Sequence, residues 1–318
     1  MEPQRKRLKT SDLDLDSWDP VAVLSDQLCT DVELVQALAA PVLDHRQTSR
    51  AVQELRQMHP LRGLAHLKRV RRTGAGSAHA LEVLVRPLHE PSDYDYSRLG
   101  LGDLFVVTVP STAPLTRPQF DTASAHWPTS FHEDKMASAA LRGELFPAGQ
   151  KEKMHRYMSL AVEAAKDGQK LGLDAIGAVM VDPDSEQVIA TAHDCRRKHP
   201  LHHAAMVCID LVAKSQGGGR YGYEEFSGCG FSASHWSAVQ PYLCTGYDLY
   251  VTREPCVLCA MALLHSRVRR VFYGTAAADG ALGSTFKLHA QRDLNHRFEV
   301  FKDVCVGLCR ELDQSRSL

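Results

Sequence analysis

Several features that would narrow the class of this protein are missing from its 318 residues. No stretch approaches the roughly 20 consecutive apolar residues of a membrane-spanning helix, and no charged start is followed by a long apolar run. The expectation is therefore an intracellular protein with no membrane association. Tryptophan is scarce, and Trp18, Trp127 and Trp236 stand too far apart to form a pattern. Net charge is almost absent too: the formal value of −1 excludes a wholly basic nucleic-acid binder. There is no internal repeat, heptad run or low-complexity tract. A secreted disulfide framework is also excluded, because the nine cysteines are an odd number and are scattered except for two close pairs. Free thiols and a metal site fit better.

The near-zero charge hides an asymmetry. The opening "QRKRLK" is basic and fits a nuclear import signal, which would place the protein in nucleus and cytoplasm. Residues 12–33 carry seven acids and no Lys or Arg, whereas residues 44–86 carry nine Lys/Arg against three acids. Within that second stretch, "HLKRVRR" gathers Lys68, Arg69, Arg71 and Arg72, the side chains best suited to neutralise phosphates. The competing reading is a solvated helix face.

Periodicity divides the chain into a polar, mobile segment over 1–25, a small α/β unit over 26–145 and a second α/β unit over 146–318. In the first unit the largely apolar "VELVQALAAPVL" could be strand or helix, and Pro41 favours a strand at its end; "QTSRAVQELRQM" has helical spacing; "ALEVLVRPL" and "DLFVVTVP" alternate as strands do. It ends in a Pro-, Ser- and Thr-rich segment over 110–130. In the second unit Met154, Met158, Ala161 and Ala165 recur on one helical face, and Gly168 is a natural stop. A hairpin turning at "DPDS" follows, then alternating helices and strands, with Pro255 at a favoured first helical position. That order predicts a sheet covered by helices. Segment 216–246, rich in Gly, Tyr and Ser, reads as a surface insertion. Cys195, Cys208, Cys305 and Cys309 read as packing residues.

"PCVLC" places Cys256 and Cys259 at the start of a helix, where the helix end favours thiolates and both sulfurs can face one ion. His203 opens the preceding helix. Two thiolates and an imidazole make three protein ligands and leave a fourth position free, the pattern of a zinc site that activates water. His202 reads as a bystander.

This set, a histidine opening one helix and P-C-x-x-C opening the next, resembles the zinc-dependent nucleobase deaminases. "AIGAVMVDPDSEQVIATAHD", "EPCVLCAMALLHSRVRRVFYG", "DGALGS" and "LNHRFEVF" are similar, in order and spacing, to segments of the tRNA adenosine deaminase branch, over roughly residues 150–305. The resemblance implies a cytidine-deaminase-like fold: a mixed central sheet flanked by helices, with Zn2+ at two helix N-termini, preceded by the small α/β domain. It implies zinc held by His203, Cys256 and Cys259.

One residue departs from the pattern. The family's H-x-E supplies a glutamate two positions after the histidine, which shuttles protons between zinc-bound water and base; here that position is Ala205. Glu254 is no obvious replacement, since active members carry "EPC" as well. Retained zinc ligands without the acid/base, together with "APVLDHRQTSR" and "LAHLKRVRR" ahead of the deaminase fold, resemble the non-catalytic subunits of the eukaryotic heterodimeric tRNA wobble adenosine deaminases. What that implies is a chain with no catalytic residue of its own, a catalytic subunit as partner in a heterodimer, and contacts to the anticodon arm and body of tRNA. Two other readings stay open: a free-standing zinc deaminase with a displaced acid/base, and a zinc-stabilised interaction protein without an RNA role.

Overall fold

The structure, a computed structural model, describes residues 18–74, 79–232 and 241–314. In chain order its first elements are β1 (Val21–Ala22), α1 (Asp26–Cys29), β2 (Leu34–Pro41), α2 (Thr48–Met58), β3 (Val70–Arg72), β4 (Leu81–Pro87), β5 (Phe105–Pro110), α3 (Arg117–His126) and α4 (Lys135–Leu141). Then follow α5 (Ala148–Lys170), β6 (Gly177–Asp182), β7 (Gln187–His193), α6 (Ala204–Ser215), β8 (Gly230–Phe231), β9 (Asp248–Arg253), α7 (Val257–His265), β10 (Arg270–Thr275), β11 (Glu299–Lys302) and α8 (Val306–Gln314). No helix of the described residues is long and apolar enough to cross a membrane. Contacts divide the chain into two units, one over residues 26–138 and the other over 139–318 together with the segment before residue 26.

The smaller unit is a four-stranded antiparallel sheet in the order β3-β4-β2-β5. Alternation along β4 sends Val83 and Val85 to one face, against Ala51 and Leu55 of α2, and Leu84 to the other, against the fully buried Trp127. Trp127 is thus an anchor of this unit, its indole N–H donating to the carbonyl oxygen of Lys68 at 2.7 Å. The Pro/Ser/Thr-rich stretch holds α3 rather than remaining irregular. Thr116 and Gln119 form a reciprocal capping box and a proline occupies the first turn, which together outweigh the composition.

The larger unit is built on a seven-stranded mixed sheet, β1-β11-β10-β9-β6-β7-β8, in which β9, β10 and β11 run parallel and the other pairings are antiparallel. Period-two alternation serves both faces. Ala178, Met180, Leu249, Val251 and Val271 pack with α6 and α7, and Val179, Val181, Tyr250, Phe272 and Phe301 pack with α5 and α8. On the second face three aromatic rings stack across neighbouring strands, Tyr250 on Phe272 at 4.6 Å and Phe272 on Phe301 at 5.1 Å. Gly177 lets α5 approach closely, for a Cβ there would lie 1.9 Å from the carbonyl oxygen of Ala161.

Three expectations are corrected. The helix opening this unit runs past Gly168 to Lys170, because Gly168 is buried and leaves room for the His193 ring; the left-handed glycine is Gly172, at φ 72°. Helix α7 is capped by Cys256, so Pro255 precedes it rather than filling its first position. The expected mobile segment over 1–25 does not hold for its last residues: Trp18 is buried, and Val21 and Ala22 pair with Lys302 and Phe301. Its basic run, like Trp236, lies outside the described residues.

Candidate metal centre

Two helix starts carry the centre. His203 caps α6 in extended backbone (φ −64°, ψ 151°) and its carbonyl accepts the Val207 N–H at 2.9 Å. Cys256 caps α7 in the same extended conformation (φ −71°, ψ 175°). Cys259 follows in the first turn of α7, buried. One ligand atom from each of the three lies within 4.8 Å of the others. The His203 Nδ1 to Cys256 Sγ distance is 3.6 Å. A tetrahedral zinc with ordinary bond lengths would separate a bound nitrogen from a bound sulfur by about 3.6 Å, so this edge and the chemistry of the donor set fit the ion.

The electrostatics agree. The Cys256 thiol is pulled down to about 5, first by the hydrogen bond from the Cys259 side chain and then, against the opposing effect of burial, by backbone N–H groups of α7 and the His203 ring. Cys259 moves the other way, raised by its bond to Cys256 and by burial. Cys256 is thus the thiolate of the pair even before a cation arrives.

Around the ligands lies a pocket lined by Ala204, Ala205, Asp174, Asp194, Glu254 and Asp279, among others. Ala205 turns only a methyl group to it and is 3% exposed. The neighbouring carboxylates are mostly engaged elsewhere. Glu254, buried, accepts the backbone N–H groups of Ala277, Leu282 and Ser284 at 3.1, 3.0 and 3.0 Å as well as the Ser284 hydroxyl. It holds the 277–284 loop in place, and a Cβ at Gly280 would collide with its carboxylate. This role of Glu254 was not visible in the sequence. Asp194 accepts from Arg196, whose guanidinium also reaches Asp174. Asp279 stands exposed at the rim.

His202 is not a ligand. Its buried ring lies among His199, Tyr221 and Tyr223, and neither nitrogen has a hydrogen-bond partner among the described residues. Tyr223 is itself buried, so segment 216–246 is not mere surface decoration: part of it fills the core beside α6.

The basic stretch divides. Arg69 is buried and donates to the carbonyl oxygens of Leu55, His59 and Val85 at 3.0, 3.0 and 2.8 Å. Arg71 pairs with Glu82 at 2.7 Å, donates to the His126 carbonyl and lies over the Trp127 ring at 4.1 Å. Lys68 and Arg72 alone of the four are exposed. The expectation of four phosphate contacts is corrected accordingly: Arg69 and Arg71 hold the unit together. Nor is this a helix face, since residues 70–72 form β3.

Residues 151–275 match the cytidine and deoxycytidylate deaminase zinc-binding region, and residues 35–127 match the tRNA-specific adenosine deaminase TAD3 N-terminal domain. Over 98% of this chain and 99% of the relative, the sequence is 56% identical to the probable inactive tRNA-specific adenosine deaminase-like protein 3 of Danio rerio. The chain belongs to the tRNA-specific adenosine deaminase-like protein 3 family. It is likewise 50% identical to the Homo sapiens protein of that name, covering 93% of this chain and 92% of the other. A more distant member, 28% identical over 75% and 74% of the two chains, is the tRNA-specific adenosine deaminase subunit tad3 of Schizosaccharomyces pombe. Both vertebrate relatives are named probable inactive, in keeping with a pocket that has a methyl group where the deaminases have their acid/base.

Proposed function

We propose that this chain is the non-catalytic, zinc-binding subunit of a tRNA adenosine deaminase that forms inosine at the wobble position, acting with a catalytic partner that carries the missing glutamate. The observation that carries the reading is the pairing of an intact ligand trio with Ala205. His203, Cys256 and Cys259 would hold zinc, which in an active deaminase activates water. Here the trio ties the N-termini of α6 and α7 together, and ligand binding that requires the folded state stabilises it. General acid–base catalysis contributes roughly 10²–10⁴-fold, so a pocket without it turns over at a trace level at most.

The grip on the anticodon arm and body of tRNA is assigned to the 26–138 unit. Support comes from its match to the TAD3 N-terminal domain and from Lys68 and Arg72, whose charges the fold leaves to solvent. Arg72 borders a depression lined by Ser124 and His126, and an exposed cation at such a place attracts a phosphate backbone. Work in both nucleus and cytoplasm belongs to the same proposal.

The test is inosine formation on a tRNA transcript by this chain alone, by the catalytic partner alone and by the two mixed. Activity only in the mixture, unchanged by Ala205→Ser, is the expected result. Turnover by this chain alone would overturn the proposal, and loss of that turnover in Asp279→Asn would identify the exposed rim carboxylate as a displaced acid/base.

A further inference from the structure

A second set of soft ligands lies outside the pocket. His193 ends β7 and Cys195 follows two residues later; both are buried, and Cys229 reaches them from the segment that follows α6. Cys195 Sγ is 3.6 Å from His193 Nδ1 and 3.9 Å from Cys229 Sγ. For a tetrahedral zinc the corresponding edges are about 3.6 Å between nitrogen and sulfur and about 3.8 Å between two sulfurs. A disulfide needs about 2.05 Å, and both cysteines are free thiols.

The surroundings are those of ligands already oriented. His193 Nε2 lies 3.0 Å from the Ser227 carbonyl oxygen, so its N–H donates there and leaves Nδ1 facing the sulfurs. Nδ1 also faces the Asp194 carbonyl oxygen at 3.0 Å, so it cannot stay bare. When protonated it donates there, and a cation held between the ring and the sulfurs would take that proton's place. The backbone N–H of His193 donates to Cys229 Sγ at 3.4 Å, the kind of contact that supports a thiolate. The absence of a side chain at Gly168 and the edge-on Phe226 ring fix the imidazole.

We propose that His193, Cys195 and Cys229 bind a second zinc ion, with water completing the coordination. Its role is structural. Cys195 lies on the connection that presents His203, its N–H donating to the His202 carbonyl at 2.8 Å. Cys229 lies beside β8, which pairs with β7. The ion fastens the segment after α6 to the connection that sets the pocket's histidine.

Metal analysis of the purified full chain tests this independently of the pocket. Two zinc ions per chain are expected, falling to one in Cys195→Ser/Cys229→Ser and to one in Cys256→Ala/Cys259→Ala. A single zinc that survives Cys195→Ser/Cys229→Ser overturns the second site and leaves the pocket standing. A single zinc that survives Cys256→Ala/Cys259→Ala does the reverse. Cobalt titration of the metal-free wild-type chain needs no variant to fold: thiolate-to-cobalt charge-transfer absorption that grows to two equivalents supports the proposal. Saturation at one equivalent, with Cys195 and Cys229 open to alkylation in the loaded protein, overturns it, as does a Cys195–Cys229 disulfide in a non-reduced peptide map.

Discussion

In the pocket, three side chains from two helix starts converge on one point, one ligand atom of each lying within 4.8 Å of the others. In the smaller unit, two of four neighbouring cations are consumed by the fold: Arg69 by three carbonyl oxygens, Arg71 by Glu82, a carbonyl and an indole. The difference separates groups that a fold holds ready for something outside it from groups that it uses itself. Glu254 shows that both kinds occur in one place, since it lines the pocket yet spends its carboxylate on four donors of the adjoining loop.

Perturbing the converged group should have the largest effect. Zinc at about 1,000 times its dissociation constant contributes about 4 kcal/mol to the folded state, so Cys256→Ala/Cys259→Ala should lower the thermal midpoint by roughly 8–16 °C, read by calorimetry alongside metal content. An unchanged midpoint would mean that the trio is idle. Next is Glu254→Ala, which strips two buried N–H groups and one part-buried N–H of their acceptor and should cost about 3 kcal/mol in urea denaturation without releasing the pocket's zinc. Arg69→Met should cost about 2 kcal/mol while leaving the salt dependence of tRNA affinity as it was; a flattened dependence would return Arg69 to the RNA-binding surface. Smallest in stability is Lys68→Gln/Arg72→Gln, within about 0.5 kcal/mol of the parent. That pair should instead reduce the slope of log K against log salt by about 1.4–1.8, the counterion release of two phosphate contacts.

What could be read from the sequence followed the same division. That His203, Cys256 and Cys259 come together was legible because metal coordination constrains residue type, spacing and helix position together, and few other roles satisfy all three. Strands β4, β6 and β9 were legible as short runs of β-branched and aliphatic residues, which the fold buries nearly throughout. The fates of Arg69 and Arg71 were not, because charge alone does not say which way a side chain turns, and their acceptors are backbone groups that any sequence supplies. Cys195 was read as packing because its partner Cys229 lies beyond an intervening helix, and two cysteines so far apart carry no spacing signal. Helix α3 could have been found from Thr116 and Gln119, whose capping pattern was masked by the prolines and serines around it. Strand β1 is two residues long, too short for any period.

That short strand bears on how the molecule is made. Because Val21 and Ala22 complete one edge of the sheet by pairing with residues near the other end of the chain, the 26–138 unit is spliced into the deaminase-like unit rather than appended to it. A ribosome releases residue 21 long before residue 302, so the sheet's edge must wait, while the spliced unit has every contact it needs to fold first. Once the edge closes, the guest is held by two covalent attachments, and a single proteolytic cut at either one would nick the protein without freeing it.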